Sequence, residues 1–298
     1  MSAASAQLPG AAPIAPPAAA TWQPYLWLAR LTFLKLMAYR MRYVTGILTY
    51  GIFVGGQYAV WRAVYTAQNP AGTPLDQMTM DGLTLPAMAT YIAVGYIARA
   101  AYFTNTDSEI AARFQNGDVA LDLLKPIDFH GQWLAQATGE TLFRILFFAL
   151  PMAVVLVPLF GIQAPSGPGW WQFPALFVLA FWVNAELNLL TGTMSFFLED
   201  ITGLMSLKRN LTMLLSGLMF PLHFLDAFSP LLTKTVECLP FASIAYYPTM
   251  AYVGRLGTHG AISFVGGVAV AVAWVAVLRL VNLTLWRRAK ARLEVQGG

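Results

Sequence analysis

Long apolar runs separated by short polar segments dominate the chain from residue 43 onward. Each run approaches the ~20 residues that a helix needs to cross the hydrocarbon core of a bilayer. The pattern predicts six membrane spans, which we place at Tyr43 to Trp61, Leu83 to Phe103, Leu134 to Phe160, Trp171 to Leu198, Leu211 to Leu225 and Ala261 to Trp286. Residues 22–286 are therefore expected to form a single transmembrane domain.

Two segments precede the first span. Residues 1–21 are rich in Ala and Pro and carry no charge. This composition predicts a disordered leader that lacks the basic start of a secretory signal. Between Trp22 and Met41, apolar residues recur with a helical period among several basic residues, which predicts a helix at the membrane surface. Alternatively, this helix continues into the first span as one long helix.

The composition supports a membrane protein. Hydrophobic residues make up 57% of the chain and charged residues only 11%, which argues against the soluble globular class. The basic residues lie at span borders and form no patch of the kind that binds nucleic acid. The single cysteine, Cys238, allows neither an internal disulfide nor a cysteine cluster for a metal. The predicted fold class is an all-α integral membrane protein.

The distribution of basic residues predicts the orientation. With six spans, fourteen of the eighteen Lys and Arg residues lie on one side of the membrane. The positive-inside rule then places both termini in the cytoplasm, with residues 287–298 as a basic cytoplasmic tail. The expected location is the plasma (inner) membrane, as a multi-pass protein.

The region after the fifth span is apolar but repeatedly interrupted by proline, which breaks helices. It predicts short helices that dip into the outer leaflet. The alternative is a seventh, tilted span ending near Gly257, which would place the basic C-terminus outside, against the charge rule. The interrupting residues are Pro221, Asp226, Pro230, Pro240 and Pro248.

The longest polar segment between two spans runs from Thr106 to Trp133. Thr106 and Glu109 have the spacing of a capping box, and Gly117 is a typical helix end. Asp118 is a candidate cap for a second helical turn. The segment therefore predicts a helix-Gly-Asp-helix elbow with an apolar knob that fits a groove on a partner. A solvated loop with incidental caps is the alternative.

Polar residues within the spans are candidates for a translocation path, since a charge in the membrane is costly unless it is paired or faces water. Glu186 lies near the middle of the fourth span, with Asn184 and Asn188 on a different face of the helix. Its carboxylate is a candidate for attracting a cationic substrate. The alternative is a structural pair with Arg144 or Arg99 of a neighbouring helix.

The third span contains a second candidate pair. Glu140 and Arg144 have the i,i+4 spacing and the order that favour an ion pair along a helix. This spacing predicts a structural role. The candidates for the translocation path are thus Glu140, Arg144, Asn184, Glu186 and Asn188.

Three runs resemble corresponding segments of type-two ABC exporter permeases, in particular the viologen exporter family: FQNGDVALDLLKPIDFH, FFLEDITGLMSLKRNL and LPFASIAYYPTMAYVG. The resemblance extends roughly from Trp22 to Arg288. It implies that Ser108 to Lys125 forms a coupling helix against an ATP-binding subunit, and that Ser229 to Val253 forms an external re-entrant hairpin. The residues assigned to coupling are Ile110, Phe114, Gly117, Asp118, Leu121, Leu124 and Lys125, and those assigned to the hairpin are Pro230, Pro240, Phe241, Tyr246, Tyr247 and Pro248.

The chain contains no phosphate-binding loop of the form G-x-x-x-x-G-K-[ST], because no Lys follows a Gly. We therefore expect no intrinsic enzyme activity and no cofactor on this chain, with ATP and Mg²⁺ bound by a partner. The expected partners are two cytoplasmic ATP-binding cassette subunits, a second permease that is identical or related, and membrane lipid. The expected function is export of an amphipathic or cationic, viologen-like small molecule by alternating access.

Two other function classes are weighed against this one. An ion-coupled secondary transporter would need no partner and would rely on Glu186, Glu140 and Arg144. It is disfavoured because the sequence lacks the paired broken spans of inverted-repeat transporters. A membrane scaffold or an integral membrane enzyme is disfavoured by the missing catalytic motifs.

Overall fold

The computed structural model describes residues 22–39, 41–69, 72–125, 127–198, 200–258 and 262–296. The predicted leader lies outside these residues. The described chain is mostly helical, in agreement with an all-α membrane protein. The helices and strands are α1 (Gln23–Met37), α2 (Met41–Ala67), β1 (Thr79–Met80), β2 (Leu83–Thr84), α3 (Leu85–Tyr102), α4 (Thr106–Asn116), α5 (Val119–Leu123), α6 (Phe129–Arg144), α7 (Leu150–Phe160), α8 (Gly169–Thr193), α9 (Thr202–Leu215), α10 (Pro230–Glu237), α11 (Tyr246–Tyr252) and α12 (Phe264–Gln296).

Three helical stretches of the described chain are long and apolar enough to cross a membrane: Phe129–Phe160, Gly169–Phe196 and Phe264–Ala291. They coincide with the third, fourth and sixth predicted spans. The first comprises α6, α7 and a π-helical turn between them, Ile145–Ala149. The first and second predicted spans fall on α2 and α3, whose crossing of the membrane stays a prediction.

The fifth predicted span differs from the structure. We expected one helix from Leu211 to Leu225, but α9 begins at Thr202 and ends at Leu215. Gly217 has a left-handed backbone, with φ +76, and the Tyr91 hydroxyl donates a hydrogen bond to its carbonyl at 2.5 Å. The chain leaves the helix here because a left-handed glycine ends a helix and tertiary contacts bind the freed backbone groups.

The N-terminal helix is separate from the first predicted span. α1 ends at Met37 and α2 begins at Met41, so the alternative of one long helix is wrong. α1 packs along α6 at very short range, since a Cβ atom built on Gly139 would overlap the backbone carbonyl of Ala29. Only glycine permits this approach.

A two-residue β-hairpin leads into α3. β1 and β2 pair antiparallel, with Thr79 opposite Thr84. The turn residues Asp81 and Gly82 both have positive φ, as the Asp-Gly turn of a tight hairpin requires. This hairpin was not predicted from the hydropathy pattern, because its strands have only two residues each.

The interrupted region after α9 forms a 3₁₀ helix, Leu222–Ala227, and two short α-helices, α10 and α11, joined by turns. α11 packs against the start of α8, where a Cβ atom on Gly169 would lie 2.6 Å from the carbonyl oxygen of Ala251. At the other end of α8, Gly192 lies against Ile110 of α4. The 25 residues of α8 span ~37 Å. The α10–α11 region and α4 therefore lie at opposite ends of the bundle.

Residues 287–296 of the predicted basic tail belong to a helix. α12 continues without interruption from Phe264 to Gln296, past the expected end of the sixth span at Trp286. The Trp286 ring stacks on Phe129 at the start of α6, with centroids 3.8 Å apart. The beginning of the predicted tail is thus fixed against the bundle.

Candidate functional site

The segment between α3 and α6 has the elbow shape predicted from its sequence. α4 and α5 are joined at Gly117, which has a left-handed backbone with φ +77. Asp118 is the residue before α5, as predicted, but its side chain makes no capping hydrogen bond. The predicted capping box is wrong: Asn105 precedes α4, and the Thr106 hydroxyl bonds the Thr104 hydroxyl at 3.0 Å.

The apolar surface of the elbow differs from the predicted knob. Ile110 is fully buried against α8, and the Phe114 ring packs on Phe196 at 5.6 Å. Both residues hold α4 to the bundle, and Ile110, which is fully buried, is unavailable to a partner. The exposed apolar residues are on and just after α5, where Leu121 is 59% and Leu124 81% exposed.

A buried carboxylate joins the two arms of the elbow to α6. The side chain of Asp122 is fully buried and accepts hydrogen bonds from Arg113 at 2.9 Å and from Lys125 at 2.7 Å. Gln132 of α6 donates a third, at 3.0 Å. Lys125, which was predicted to contact a partner, thus also forms an ion pair within the chain. Sequence analysis missed Asp122, although its i,i+3 spacing to Lys125 was a usable signal.

We expect Asp122→Asn to lower the free energy of unfolding by about 2 kcal/mol, because the amide lacks the negative charge that pairs with the two cations. It also replaces one acceptor oxygen with an NH₂ donor, which leaves buried hydrogen-bonding groups unsatisfied. The two partly exposed cations keep the loss below that of a fully buried pair. The thermal unfolding midpoint of the purified protein measures it. The matched control is Asp118→Asn, the same change at an exposed position of the same elbow. Equal midpoints for the two variants would contradict the structural role of Asp122.

A second polar junction ties α4 to α8 and α9. Lys208 of α9 forms an ion pair with Asp107 of α4 and donates a hydrogen bond to Asn188 of α8 at 2.6 Å. The Asn188 amide also donates to the Thr104 hydroxyl at 3.1 Å. Burial lowers the pKa of the Lys208 ammonium, and the adjacent Asp107 carboxylate opposes this shift. Asn188, predicted to line a path, is engaged in this junction.

Glu186 has a partner, but not one of those proposed from the sequence. It is 1% exposed and accepts a hydrogen bond from Asn282 of α12 at 2.7 Å. The Arg279 guanidinium, also on α12, lies 3.5 Å away. Pairing with Arg144 or Arg99 is therefore wrong. The Glu186 side chain joins α8 to α12.

The other polar residues of the third and fourth spans also make helix contacts. Arg144 and Glu140 form the predicted i,i+4 ion pair at 2.7 Å, and the guanidinium lies over the Tyr43 ring of α2. Asn184 donates to the Tyr102 carbonyl of α3 at 3.0 Å. Glu186 thus faces α12 while Asn184 faces α3, which confirms that they lie on different faces of α8.

Most of the residues assigned to the external re-entrant hairpin are buried. α10 begins at Pro230, the helix position that tolerates proline best. The Tyr247 hydroxyl donates to the Glu237 carbonyl, which binds α11 to the end of α10. Pro230 is exposed, Phe241 is half-buried, and the buried members of the set are Pro240, Tyr246, Tyr247 and Pro248.

The described chain combines three candidate membrane spans with an elbow whose leucines are exposed at one end of the bundle, an arrangement that fits a membrane-embedded helical protein. The family model described as ABC-2 family transporter protein matches residues 74–297. Because the match covers most of the chain, the chain belongs to the ABC-2 transporter family. This confirms the resemblance to type-two ABC permeases. No curated protein matches the sequence.

Family membership carries three functional statements. The chain is a permease of an ABC transporter and is embedded in a membrane. It is the membrane component and not the catalytic one. It associates with ATP-binding cassette subunits.

Proposed function

We propose that the chain is one half of an ATP-driven exporter in the plasma membrane, with both termini in the cytoplasm. It pairs with a second permease, identical or related, and binds two ATPase subunits that hold ATP and Mg²⁺. The transported compound is an amphipathic or cationic small molecule of the viologen type. The observation that carries the proposal is the elbow, which exposes Leu121 and Leu124 outside the bundle in a chain of the ABC-2 family.

The contacts of the elbow support a route for mechanical coupling. An ATPase subunit that binds Leu121 and Leu124 moves α5 when the subunit itself moves. Asp122 passes that movement to α4 and α6, and Lys208 connects α4 to α8 and α9. Close-packed elements joined by ion pairs move together because they deform little. A shift at the elbow therefore reaches the spans that enclose the path.

The α10–α11 region supports the opposite gate. It lies at the end of α8 remote from α4, so that it faces the outside if the elbow faces the cytoplasm. Its buried tyrosines place the segment within the bundle. We propose that it closes the outer end of the translocation path.

The polar residues of the spans have a more limited role in this proposal. Glu186 is neutralised by Arg279, and Glu140 by Arg144. In this conformation Glu186 joins α8 to α12 and becomes available to a cation only when these two helices separate, whereas Glu140 is paired within α6. Family membership favours an ATP-driven permease over the ion-coupled alternative.

The experiment is reconstitution of the purified complex in inside-out vesicles with methyl viologen as the probe. We expect accumulation that requires ATP hydrolysis, stops with a non-hydrolysable analogue and persists when ionophores collapse the ion gradients. Mass spectrometry of the same sample identifies the subunits that co-purify. Uptake driven by an ion gradient without ATP would overturn the ATP-driven proposal, and ATP-driven uptake of other compounds alone would overturn the substrate class.

A further inference from the structure

A cavity of about 350 Å³ lies between α1, the elbow and α6. Its volume falls in the range of small-ligand sites. Its wall combines aliphatic side chains of α1 with basic and acidic side chains from all three elements. The lining residues with polar or charged heads are Thr32, Lys35, Thr106, Glu109, Arg113, Lys125, Gln136 and Glu140.

Two of these charges have no ion-pair partner among the described residues, although both act electrostatically on the Glu140 carboxyl of the same wall. Lys35 of α1 and Glu109 of α4 form no ion pair with any described residue. The remaining lining charges already have partners, since Arg113 and Lys125 bind Asp122. One cation and one anion that form no ion pair therefore line the same cavity, a combination that matches a ligand carrying both signs.

The indole ring of Trp133 forms part of the same wall. Trp133 is 1% exposed, and its indole Nε1–H has no hydrogen-bond partner among the residues that the structure describes. The Arg113 guanidinium lies over the same ring, 5.6 Å from its centroid. The Arg113 guanidinium and the Trp133 ring thus form a cationic and aromatic part of the wall.

The aliphatic part of the wall comes from α1. Leu28, Leu31 and Leu36 line the cavity, and Leu31 is also among the exposed large apolar residues. The ligand must therefore be amphipathic, with a charged head among the polar groups and an apolar body along α1. A membrane lipid has this shape and is present at high concentration.

We propose that this cavity binds the headgroup of a zwitterionic phospholipid with a primary ammonium. The phosphate lies near Lys35 and Arg113, and the ammonium lies near Glu109. The glycerol and the first methylene groups of the acyl chains lie along the leucines of α1. Because the cavity borders α4 and Lys125, an occupied site holds α1 and the elbow together.

The test measures lipid binding to the delipidated, detergent-solubilised full chain by native mass spectrometry. The probes are dioleoyl phosphatidylethanolamine and dioleoyl phosphatidylglycerol, which differ in the ammonium group. We expect phosphatidylethanolamine to bind about fivefold more tightly, which is the scale of one partly exposed charge pair. Equal binding of the two lipids, or tighter binding of phosphatidylglycerol, would overturn the proposal.

Two variants locate the site. Glu109→Gln should remove the preference for phosphatidylethanolamine, and Lys35→Gln should weaken the binding of both lipids about fivefold. The matched control is Lys234→Gln, an exposed lysine on α10, which should bind as the unmodified protein does. Unchanged binding in both cavity variants would overturn the site. Binding is measured without ATP or transport, so this test stands apart from that of the proposed function.

A soluble analogue distinguishes the binding of a membrane lipid from the binding of a free metabolite that has the same headgroup. Glycerophosphoethanolamine has the phosphodiester and the ammonium but no acyl chains. We expect it to compete poorly, because it lacks the apolar body that contacts α1. Competition as strong as that of the complete lipid would overturn the assignment to the membrane.

Discussion

The Leu121→Asp/Leu124→Asp double variant should lose at least about 100-fold in affinity for its ATPase subunits. The two side chains are the most exposed leucines of the elbow, and large apolar side chains at the centre of an interface each contribute ~2 kcal/mol or more. Two added carboxylates also have to be desolvated if they are buried in a groove. Co-purification of the ATPase subunits with the tagged chain measures the effect.

The matched control keeps the apolar area. Leu121→Met/Leu124→Met preserves side-chain volume and should bind within a few-fold of the unmodified protein. Both variants should insert into the membrane and elute alike in gel filtration, because neither side chain is part of the core. If the aspartate variant still carried its ATPase subunits in full stoichiometry, the docking surface would lie elsewhere on the chain.

Gly139→Ala should have the largest effect on stability, lowering the free energy of unfolding by about 3 kcal/mol. The added methyl group would overlap the carbonyl oxygen of Ala29, so α1 has to move away from α6. Limited proteolysis within residues 22–39 and the thermal unfolding midpoint report the separation. The added methyl group would clash with backbone atoms of Ala29, which cannot rotate away as a side chain can.

The control for this substitution is Gly203→Ala in the first turn of α9, where a new Cβ atom meets no atom within 4 Å. That change should be neutral or stabilise by up to about 1 kcal/mol, because alanine favours a helix more than glycine does. The two variants are thus expected to differ in sign. Similar unfolding midpoints would mean that α1 does not pack against Gly139 in the membrane protein.

Local patterns in the sequence predicted local structure well. The third, fourth and sixth spans follow from hydropathy, and Gly117 correctly indicated the turn between α4 and α5. The i,i+4 pair of Glu140 and Arg144 is also a local feature of one helix. Each of these predictions depends only on residues close together in the chain.

Contacts between distant segments were not predictable in the same way. Glu186 was expected to pair with Arg144 or Arg99, and it lies beside Arg279 because α12 packs on α8. Nothing within the fourth span specifies that neighbour. Ile110 was assigned to an exposed knob for a similar reason, since its apolar side chain suits a partner groove and the face of α8 equally well. The packing of α4 on α8 decides which of these two surfaces Ile110 contacts.

The end of α9 at Leu215 has a consequence for the membrane itself. A helix of 14 residues is ~21 Å long and cannot alone cross a hydrocarbon core of ~30 Å. Any crossing here is completed by unwound chain, whose polar groups have to be satisfied internally. Tyr246 N–H donates to the Ser216 carbonyl at 2.8 Å, and the Tyr91 hydroxyl binds Gly217. A crossing at this point would therefore be jointed at Gly217, where the chain can bend without breaking the hydrogen-bond ladder of any helix.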